Sequence, residues 1–254
     1  LKIKVFDWTE RKLSEGQIRH LGFSFHDRYE VFERILNGYD NWSFCQLQYN
    51  YMDVDEQAGQ RGVLEAAEKG LGVIVMEPLR GGKLAVQNPP AQVAEAFRHS
   101  QRDWTMAEWA LQWLWDQKEV SLLLSGMSTM EQVEQNLQSA SRSGVGSLTD
   151  HDRETIRRVQ QAWSGLAPVP CTGCEYCMPC PNGVQIPRIF KLYNESTMYD
   201  RQGRGQNAYQ DEFTEDQRAD MCVECGQCED LCPQSIQIIQ QLKDAHAYLT
   251  GETA

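Results

Sequence analysis

Residues 171–181 read CTGCEYCMPCP and residues 222–233 read CVECGQCEDLCP, and these two stretches contain eight of the nine cysteines in the chain. The second run has the spacing C-x2-C-x2-C-x3-C-P, with which proteins hold a 4Fe–4S cluster. The first run has two residues instead of three before its last cysteine. Two such runs predict two clusters, which transfer electrons one at a time.

Each run can offer three closely spaced thiolates to one cluster, and the fourth iron then needs a thiolate from elsewhere. In two-cluster ferredoxins the fourth cysteine of each run ligates the other cluster. We therefore predict one ligand set of Cys171, Cys174, Cys177 and Cys232, and a second of Cys222, Cys225, Cys228 and Cys180. The proline after each fourth cysteine turns the chain away, because it fixes φ and has no N–H.

The residues after each run repeat. CPNGVQI at 180–186 aligns with CPQSIQI at 232–238, which predicts a pseudo-twofold pair of half-sites. Structural zinc is the main alternative, although zinc sites use two separated cysteine pairs, and no histidine lies at ligand spacing near either run. Disulfides are less favoured than zinc. Cys45 stands alone in an apolar strand pattern and is predicted to be a buried, unreactive thiol.

Composition narrows the class of protein. The chain has 254 residues, 41% of them hydrophobic, and a net charge of −12. A nucleic-acid partner is disfavoured because phosphate binding needs a basic surface, whereas a redox partner protein with a basic patch is compatible with this charge. We expect no membrane partner, since no apolar stretch is long enough to span a bilayer. Thiols directed at metal favour a reducing compartment, and we expect the cytoplasm.

Short apolar runs alternate with helical patterns up to about residue 163. The predicted strands are 18–24, 44–50, 71–77 and 120–125, and the predicted helices are 28–37, 57–69, 105–117, 130–140 and about 149–163. Alternating strands and helices predict an α/β fold with a parallel sheet. Polar residues follow the strands, namely Ser24, His26, Asn50, Glu77 and Ser125. Active sites of parallel barrels lie at that end of the strands.

The sequence predicts two domains, 1–163 and 171–254, joined by a linker at 164–170. The second is expected to be a small, mainly helical two-cluster ferredoxin-like domain that closes with a helix over 236–249.

Four segments of the first domain, joined to the C-terminal cysteine runs, resemble the branch of aldo/keto reductases that carries a ferredoxin-type tail. IRHLGFS at 18–24 resembles that family's fifth strand, QLQYN at 46–50 its sixth, VMEPLRGGKL at 75–84 its seventh strand and loop, and LSGMS at 124–128 its eighth. The resemblance implies a partial (β/α)8 TIM-type barrel comprising strands five to eight.

The resemblance also implies a nicotinamide site. Ser24 and Gln46 would hydrogen-bond the carboxamide, and Met76 would pack on the nicotinamide ring. Pro78, Leu79 and Gly82 would line the pyrophosphate loop. The adenosine end would meet Gly126, Met127, Ser128, Gln132, Gln135 and Asn136.

The sequence departs from the family pattern at three positions. Phe25 stands where an asparagine often follows the fifth-strand serine, and Gly126 and Gln132 stand where many members have Lys and Arg on the 2′-phosphate. A phosphate grip needs positive charge, so NAD versus NADP stays open. Arg80 or Lys83 could substitute for the missing cations.

The family's catalytic tyrosine, aspartate, lysine and histidine belong to its first four strands, which this sequence does not match. We therefore name no catalytic residue, and we expect the chain to be a truncated gene, a fragment or part of a longer protein. Weak or no NAD(P)H binding is expected from the chain alone.

Three functions remain open at this point. The first is an iron–sulfur oxidoreductase of the aldo/keto reductase type that couples NAD(P)H and carbonyl chemistry to one-electron transfer. The second is a non-catalytic electron-transfer or assembly module, and the third is a metal-stabilised structural protein. A hydride carries two electrons whereas each cluster takes one, and no flavin motif is visible.

Overall fold

The structure is a computed structural model that describes residues 5–252. The chain divides into two compact units, Leu1–Gln160 and Gln161–Ala254. The division falls three residues before the end of the predicted first domain and inside a helix, and the predicted linker at 164–170 stays a prediction.

The first unit contains a four-stranded sheet whose strands follow the order of the chain. The strands are β1 Gly22–Ser24, β2 Phe44–Gln48, β3 Gly72–Met76 and β4 Val120–Leu123. All three neighbouring pairs are parallel. The carboxyl ends of the strands therefore lie along one edge of the sheet, as the sequence predicts.

Seven helices accompany the strands within the described part of the chain. They are α1 Val5–Ser14, α2 Tyr29–Leu36, α3 Gly59–Glu68, α4 Ala91–Arg98, α5 Met106–Trp115, α6 Met130–Ser141 and α7 Asp150–Ser164. Threonines cap two of the later helices at their first turns: the Thr105 hydroxyl accepts a hydrogen bond from the Glu108 N–H, and the Thr129 hydroxyl accepts one from the Gln132 N–H. Such caps satisfy N–H groups that have no partner inside the helix.

Burial alternates along the two central strands. Cys45 and Leu47 of β2 and Val73 and Val75 of β3 are fully buried, and they pack in one core cluster with Phe32 of α2. The residues between them are half-buried and lie on the other face of the sheet. Burial raises the pKa of the Cys45 thiol to about 12, so Cys45 is the buried thiol that its strand pattern predicts.

The second unit is helical within residues 161–252. Its helices are α8 Ile186–Met198, α9 Gln202–Asp211, the short α10 Gln227–Asp230 and α11 Ile238–Thr250, with 3-10 turns at Glu215–Gln217 and Ala219–Met221. Phe190, Leu242 and Ala245 lie in its core. Gly205 lets α9 approach α8 closely, since a Cβ there would lie 2.1 Å from the Ser196 Oγ.

The structure corrects the sequence prediction at three places. The strand predicted over 18–24 begins only at Gly22, because pairing with β2 starts at Gly22 opposite Phe44. Helices α1 and α4 were not predicted, since they lie outside the alternation on which the prediction rested.

None of the described helices is long and apolar enough to cross a bilayer.

Candidate metal centres and nicotinamide site

The two cysteine runs share one backbone pattern. Each has a left-handed residue before its second cysteine, another after that cysteine, and a third at the third position beyond its fourth cysteine. The pairs, with their φ values, are Gly173 (68°) and Glu224 (57°), Glu175 (62°) and Gly226 (78°), and Gly183 (83°) and Ser235 (51°). In every pair one half has glycine and the other does not, so the two halves keep the same backbone path with different residues.

The repeat extends to the helices that follow. Helix α8 begins at Ile186 and α11 begins at Ile238, the two positions that the sequence repeat aligns, and each helix has 13 residues. The runs differ in the spacer before the fourth cysteine. The longer spacer of the second run contains α10, whereas the shorter one of the first run contains a cis peptide bond between Met178 and Pro179.

One pocket lies beside the first cysteine run. Its lining includes Cys171, Cys174 and Cys177 together with Cys232 from the second run, and apolar residues such as Ile186 and Phe190. The fourth cysteine of the second run therefore lies against the first three cysteines of the other run.

A second pocket lies beside the second run. Its lining includes Cys222, Cys225 and Cys228 together with Cys180 and Cys177 of the first run. Cys177 lies between the two pockets and lines both. Each pocket thus brings together the four thiols of one predicted ligand set.

The thiols fit the group that their spacing predicts. Sulfur ligands are the donors that iron–sulfur clusters take, and each pocket also offers an apolar wall, which would tune the potential of a bound cluster. Within residues 5–252, no three or more His, Cys, Asp or Glu side chains converge closely enough to hold a metal ion directly. Burial raises the pKa of the Cys228 thiol to about 11 and also raises the pKa of the Cys171 and Cys177 thiols.

Side chains of the helices hold the segment that enters each run. The Asn194 side chain on α8 accepts a hydrogen bond from the Val169 N–H at 2.9 Å and donates one to the Val169 carbonyl at 2.7 Å. The Tyr209 hydroxyl on α9 accepts a hydrogen bond from the Ala219 N–H at 2.8 Å and lies 3.1 Å from the His246 Nδ1. Val169 lies two residues before Cys171, and Ala219 lies three residues before Cys222. We call the contact of Asn194 with Val169 and that of Tyr209 with Ala219 the two clamps, one for each run.

The carboxyl edge of the sheet gathers the residues that the resemblance assigns to nicotinamide. Ser24 at the end of β1 is exposed and lies opposite Gln46 of β2. The Gln46 Nε2 lies 3.8 Å from the Met76 Sδ of β3. Phe25, at the position of a family asparagine, is buried against Phe32 with ring centroids 5.2 Å apart. It therefore belongs to the core.

A buried ion pair holds the loop after β3. The Arg80 guanidinium donates to the Asp53 carboxylate from Nε at 2.9 Å, and its Nη2 lies 2.9 Å from the other oxygen. Asp53 is 4% exposed and also accepts hydrogen bonds from the Gln48 and Asn50 side chains at 3.2 and 3.0 Å. The charge of Arg80, a possible substitute for the family's phosphate grip, is thus directed at Asp53.

The same loop has an unusual backbone. Glu77, Arg80, Gly81 and Gly82 all have positive φ, and the Asn50 side chain donates to the Glu77 carbonyl at 3.2 Å. Pro78 in this loop is buried, Leu79 is half-buried and Gly82 is exposed. Gly82 has no atom within 4 Å of a built Cβ, which leaves room for a ligand to approach the backbone.

The residues predicted at the adenosine end follow β4. Gly126, Met127, Ser128, Gln132 and Gln135 are exposed, and Asn136 is half-buried. The Gln132 Oε1 accepts a hydrogen bond from the Ser128 N–H at 2.7 Å, and the Asn136 side chain donates to the Ser125 hydroxyl at 3.0 Å. These bonds fix the loop between β4 and α6.

Sequence reasoning missed Asp53, Asn194 and Tyr209. Asp53 carried a usable signal, because it follows Asn50 by three residues after a buried strand, which is where Asx turns occur. Both the Met52 and Asp53 N–H groups donate to the Asn50 Oδ1 at 3.0 Å. Asn194 and Tyr209 lie on helices without any motif, and only tertiary contact reveals them.

Comparison with known families matches residues 3–159 to the "Aldo/keto reductase family" and residues 170–237 to a "4Fe-4S dicluster domain". A search of curated proteins returned no match.

Similar solved structures include the aldo-keto reductase AKR11C1 from Bacillus halodurans in its holo form (23% identity, 59% of this chain and 53% of that one, TM-score 0.48) and its apo form (24%, 59% and 54%, 0.47). Another is the thermostable aldo-keto reductase Tm1743 in complex with the inhibitor epalrestat (19%, 61% and 52%, 0.45). The chain spans about half the length of these structures. Since the family match covers more than half of the chain, this protein belongs to the aldo/keto reductase family and carries a 4Fe–4S dicluster domain.

Proposed function

We propose that this chain serves an iron–sulfur oxidoreductase of the aldo/keto reductase type, in which a nicotinamide cofactor meets a carbonyl-type substrate and two 4Fe–4S clusters exchange single electrons with a redox partner protein. The observation that carries this proposal is the pair of pockets, each lined by three cysteines of one run and the fourth cysteine of the other.

The protein's own residues would divide the work at the clusters. Eight thiols would bind the iron, and the clamps from Asn194 and Tyr209 would hold the two runs in register. The apolar pocket walls would exclude water. Bound clusters would supply one-electron transfer.

The carboxyl edge of the sheet supports the nicotinamide part of the proposal. Ser24 and Gln46 lie opposite each other and offer polar groups for a carboxamide, and Met76 lies beside Gln46. The Asp53–Arg80 pair holds the loop that would approach the pyrophosphate. The first turn of α6 has Glu131 and no cation, which gives no support for a 2′-phosphate and favours NAD(H) over NADP(H).

The first experiment tests the clusters. Protein purified under anaerobic conditions should be brown, contain about eight iron and eight sulfide per chain, and give a 4Fe–4S signal in electron paramagnetic resonance after reduction. A colourless protein that binds zinc and no sulfide would remove both redox functions and leave a structural role.

The second experiment tests the nicotinamide site. NADH should shift the NMR signals of the Ser24, Gln46 and Gly82 amides at millimolar concentration. A Gly82→Asp variant should lose the shifts at Ser24 and Gln46, because its carboxylate would repel the pyrophosphate. Glu68→Gln on α3 serves as a remote control and should keep them. Shifts confined to other surfaces would contradict this part of the proposal.

A further inference from the structure

The two halves of the cysteine-rich unit share a backbone but not a surface. Positions beside the second run carry Met221, Val223 and Leu231, which are 42%, 62% and 58% exposed. The only large apolar side chain with comparable exposure at the first run is Tyr176, among the described residues. Two clusters would need only the backbone that both halves share. The larger number of exposed apolar side chains beside the second run therefore points to a further role.

The exposed apolar residues lie together. Val223 and Leu231 both line the pocket of Cys222, Cys225 and Cys228, and Met221 immediately precedes that run. Single exposed apolar residues are normal, whereas a contiguous group rimmed by polar residues marks an interaction site. Cys225 itself is exposed at this place.

Charge surrounds the group on the same stretch of chain. Residues 219–233 contain Asp220, Glu224, Glu229 and Asp230 and no Lys or Arg. The Glu229 Oε1 accepts a hydrogen bond from the Ile239 N–H at 2.9 Å, so it serves the start of α11. Asp220, Glu224 and Asp230 are exposed, and Lys243 lies 2.8 Å from Glu224. The His246 Nδ1 lies 3.9 Å from the Asp220 carboxylate. The four carboxylates of this stretch outnumber the one lysine that reaches it, so the rim keeps a net negative charge.

We propose that this second-run face, made of Met221, Val223 and Leu231 with the carboxylates of Asp220, Glu224 and Asp230, docks a one-electron redox protein whose own docking surface has an apolar centre surrounded by Lys and Arg. The inference rests on the proposed function and names the cluster that faces the partner. Opposite charges speed the encounter and set its salt dependence, and a small apolar contact suits a transient redox complex.

The test uses the full chain and a basic probe, mitochondrial cytochrome c, which accepts one electron at its haem iron. Calorimetry at low ionic strength would give the affinity. Stopped-flow absorbance would give the rate at which the protein, reduced with dithionite and then freed of excess dithionite under anaerobic conditions, reduces the cytochrome. Two variants alter the face: Val223→Ser with Leu231→Ser, and Asp220→Asn with Asp230→Asn.

Each variant has a matched control. Tyr176→Ser removes the exposed apolar side chain at the first run, and Asp55→Asn with Glu68→Gln removes the same net charge from the first unit. The face variants should weaken binding about tenfold, and the charge variant should also flatten its salt dependence. The controls should stay within about twofold of the unmodified chain.

Two results would overturn the inference. An equal loss in the charge control would show that only net charge matters, and a larger loss in Tyr176→Ser would move docking to the first run. Iron content and the paramagnetic signal are measured on every sample. An unmodified chain without clusters would refute the proposed function. Unchanged binding in Asp220→Asn with Asp230→Asn, at residues that do not line the pocket, would refute the docking face alone.

Discussion

Gly183 and Ser235 occupy the same left-handed backbone position in the two halves of the cysteine-rich unit. A non-glycine residue pays about 1–2 kcal/mol there, part of which glycine offsets by its greater freedom in the unfolded chain. We predict that Ser235→Gly raises the free energy of unfolding by about 0.5–1 kcal/mol, measured by denaturant unfolding. A loss of stability would contradict the strain argument.

The reverse change in the other half should be costly. A Cβ at Gly183 would lie 2.8 Å from the Asp216 carbonyl oxygen, which is backbone and cannot easily move. Gly183→Ser should therefore lower the free energy of unfolding by about 2 kcal/mol, because close contact adds to backbone strain. Equal effects of the two substitutions would show that the halves do not differ in this way.

The two clamps allow a separate test of each cysteine run. Tyr209→Phe keeps the buried ring but leaves the Ala219 N–H without its acceptor, which costs about 1–3 kcal/mol for a buried group. We predict that this variant loses iron faster to a chelator, with the loss confined to the cluster beside Cys222. Asn194→Leu should act in the same way on the cluster beside Cys171.

Tyr248→Phe is the control, since it removes a hydroxyl from α11, which packs against α8 and α9, without touching either clamp. It should release iron at the rate of the unmodified chain. If Tyr209→Phe and Asn194→Leu also release iron at the rate of the unmodified chain, the clamps do not position the cysteines.

At the scale of elements, the start of α7 carries a capping pair with a pH dependence. Burial of Asp152 acts to raise its pKa, but hydrogen bonds from Arg102 and from the Thr149 N–H and hydroxyl outweigh burial and lower the pKa to about 2. A carboxyl with a lowered pKa in the folded state stabilises the fold above its unfolded pKa. That stability is lost as the pH falls from about 4 to about 2.

Asp152→Asn should therefore lower the free energy of unfolding at pH 7 by about 2 kcal/mol, since a shift of one pKa unit corresponds to about 1.4 kcal/mol. It should also reduce the loss of stability between about pH 4 and pH 2. Urea unfolding followed by tryptophan fluorescence measures both effects. Asp150→Asn, at an exposed carboxylate of the same turn, should change stability by less than about 0.5 kcal/mol.

The loop after β3 depends on the Asp53–Arg80 pair. Removing the buried Asp53 carboxylate breaks its ion pair with Arg80 and takes an acceptor away from the Gln48 and Asn50 side chains, and the loss of a partner costs about 1–3 kcal/mol for a buried polar group. Asp53→Ala should lower the free energy of unfolding by that amount, and faster amide exchange should spread through residues 77–84. A change of less than about 1 kcal/mol would show that the loop does not rely on this pair.

The elements show what sequence pattern can and cannot predict. The central strands β2 and β3 were predictable, because each is a short apolar-rich run that is followed by polar residues. Helix α4 was not predicted, although Val93, Ala96 and Phe97 lie at helical spacing, because Ala91–Arg98 is an additional helix before α5 and lies outside the simple alternation of strands and helices. The start of β1 depends on where β2 offers a pairing partner, which is a tertiary property that local pattern does not contain.

At the scale of the whole molecule, spacing predicted more of the site than composition did. The cysteine runs and their repeat predicted the two sets of four thiols that the pockets bring together. The roles of Asn194 and Tyr209 could not be predicted, because each contributes through a contact with a distant segment, and the pairing of Arg80 with Asp53 is likewise a tertiary contact. The sequence shows the carboxylates beside Cys225. The exposure of Met221, Val223 and Leu231 depends on tertiary packing and could not be predicted from it.

The exchange of fourth cysteines between the runs is the central claim, and iron content in combined variants tests it most directly. Replacing Cys171, Cys174 and Cys177 with alanine should leave about four iron per chain in the second cluster. Adding Cys232→Ala to that variant should leave the remaining iron in place, whereas adding Cys180→Ala should remove it. Iron lost with Cys232→Ala and kept with Cys180→Ala would contradict the account.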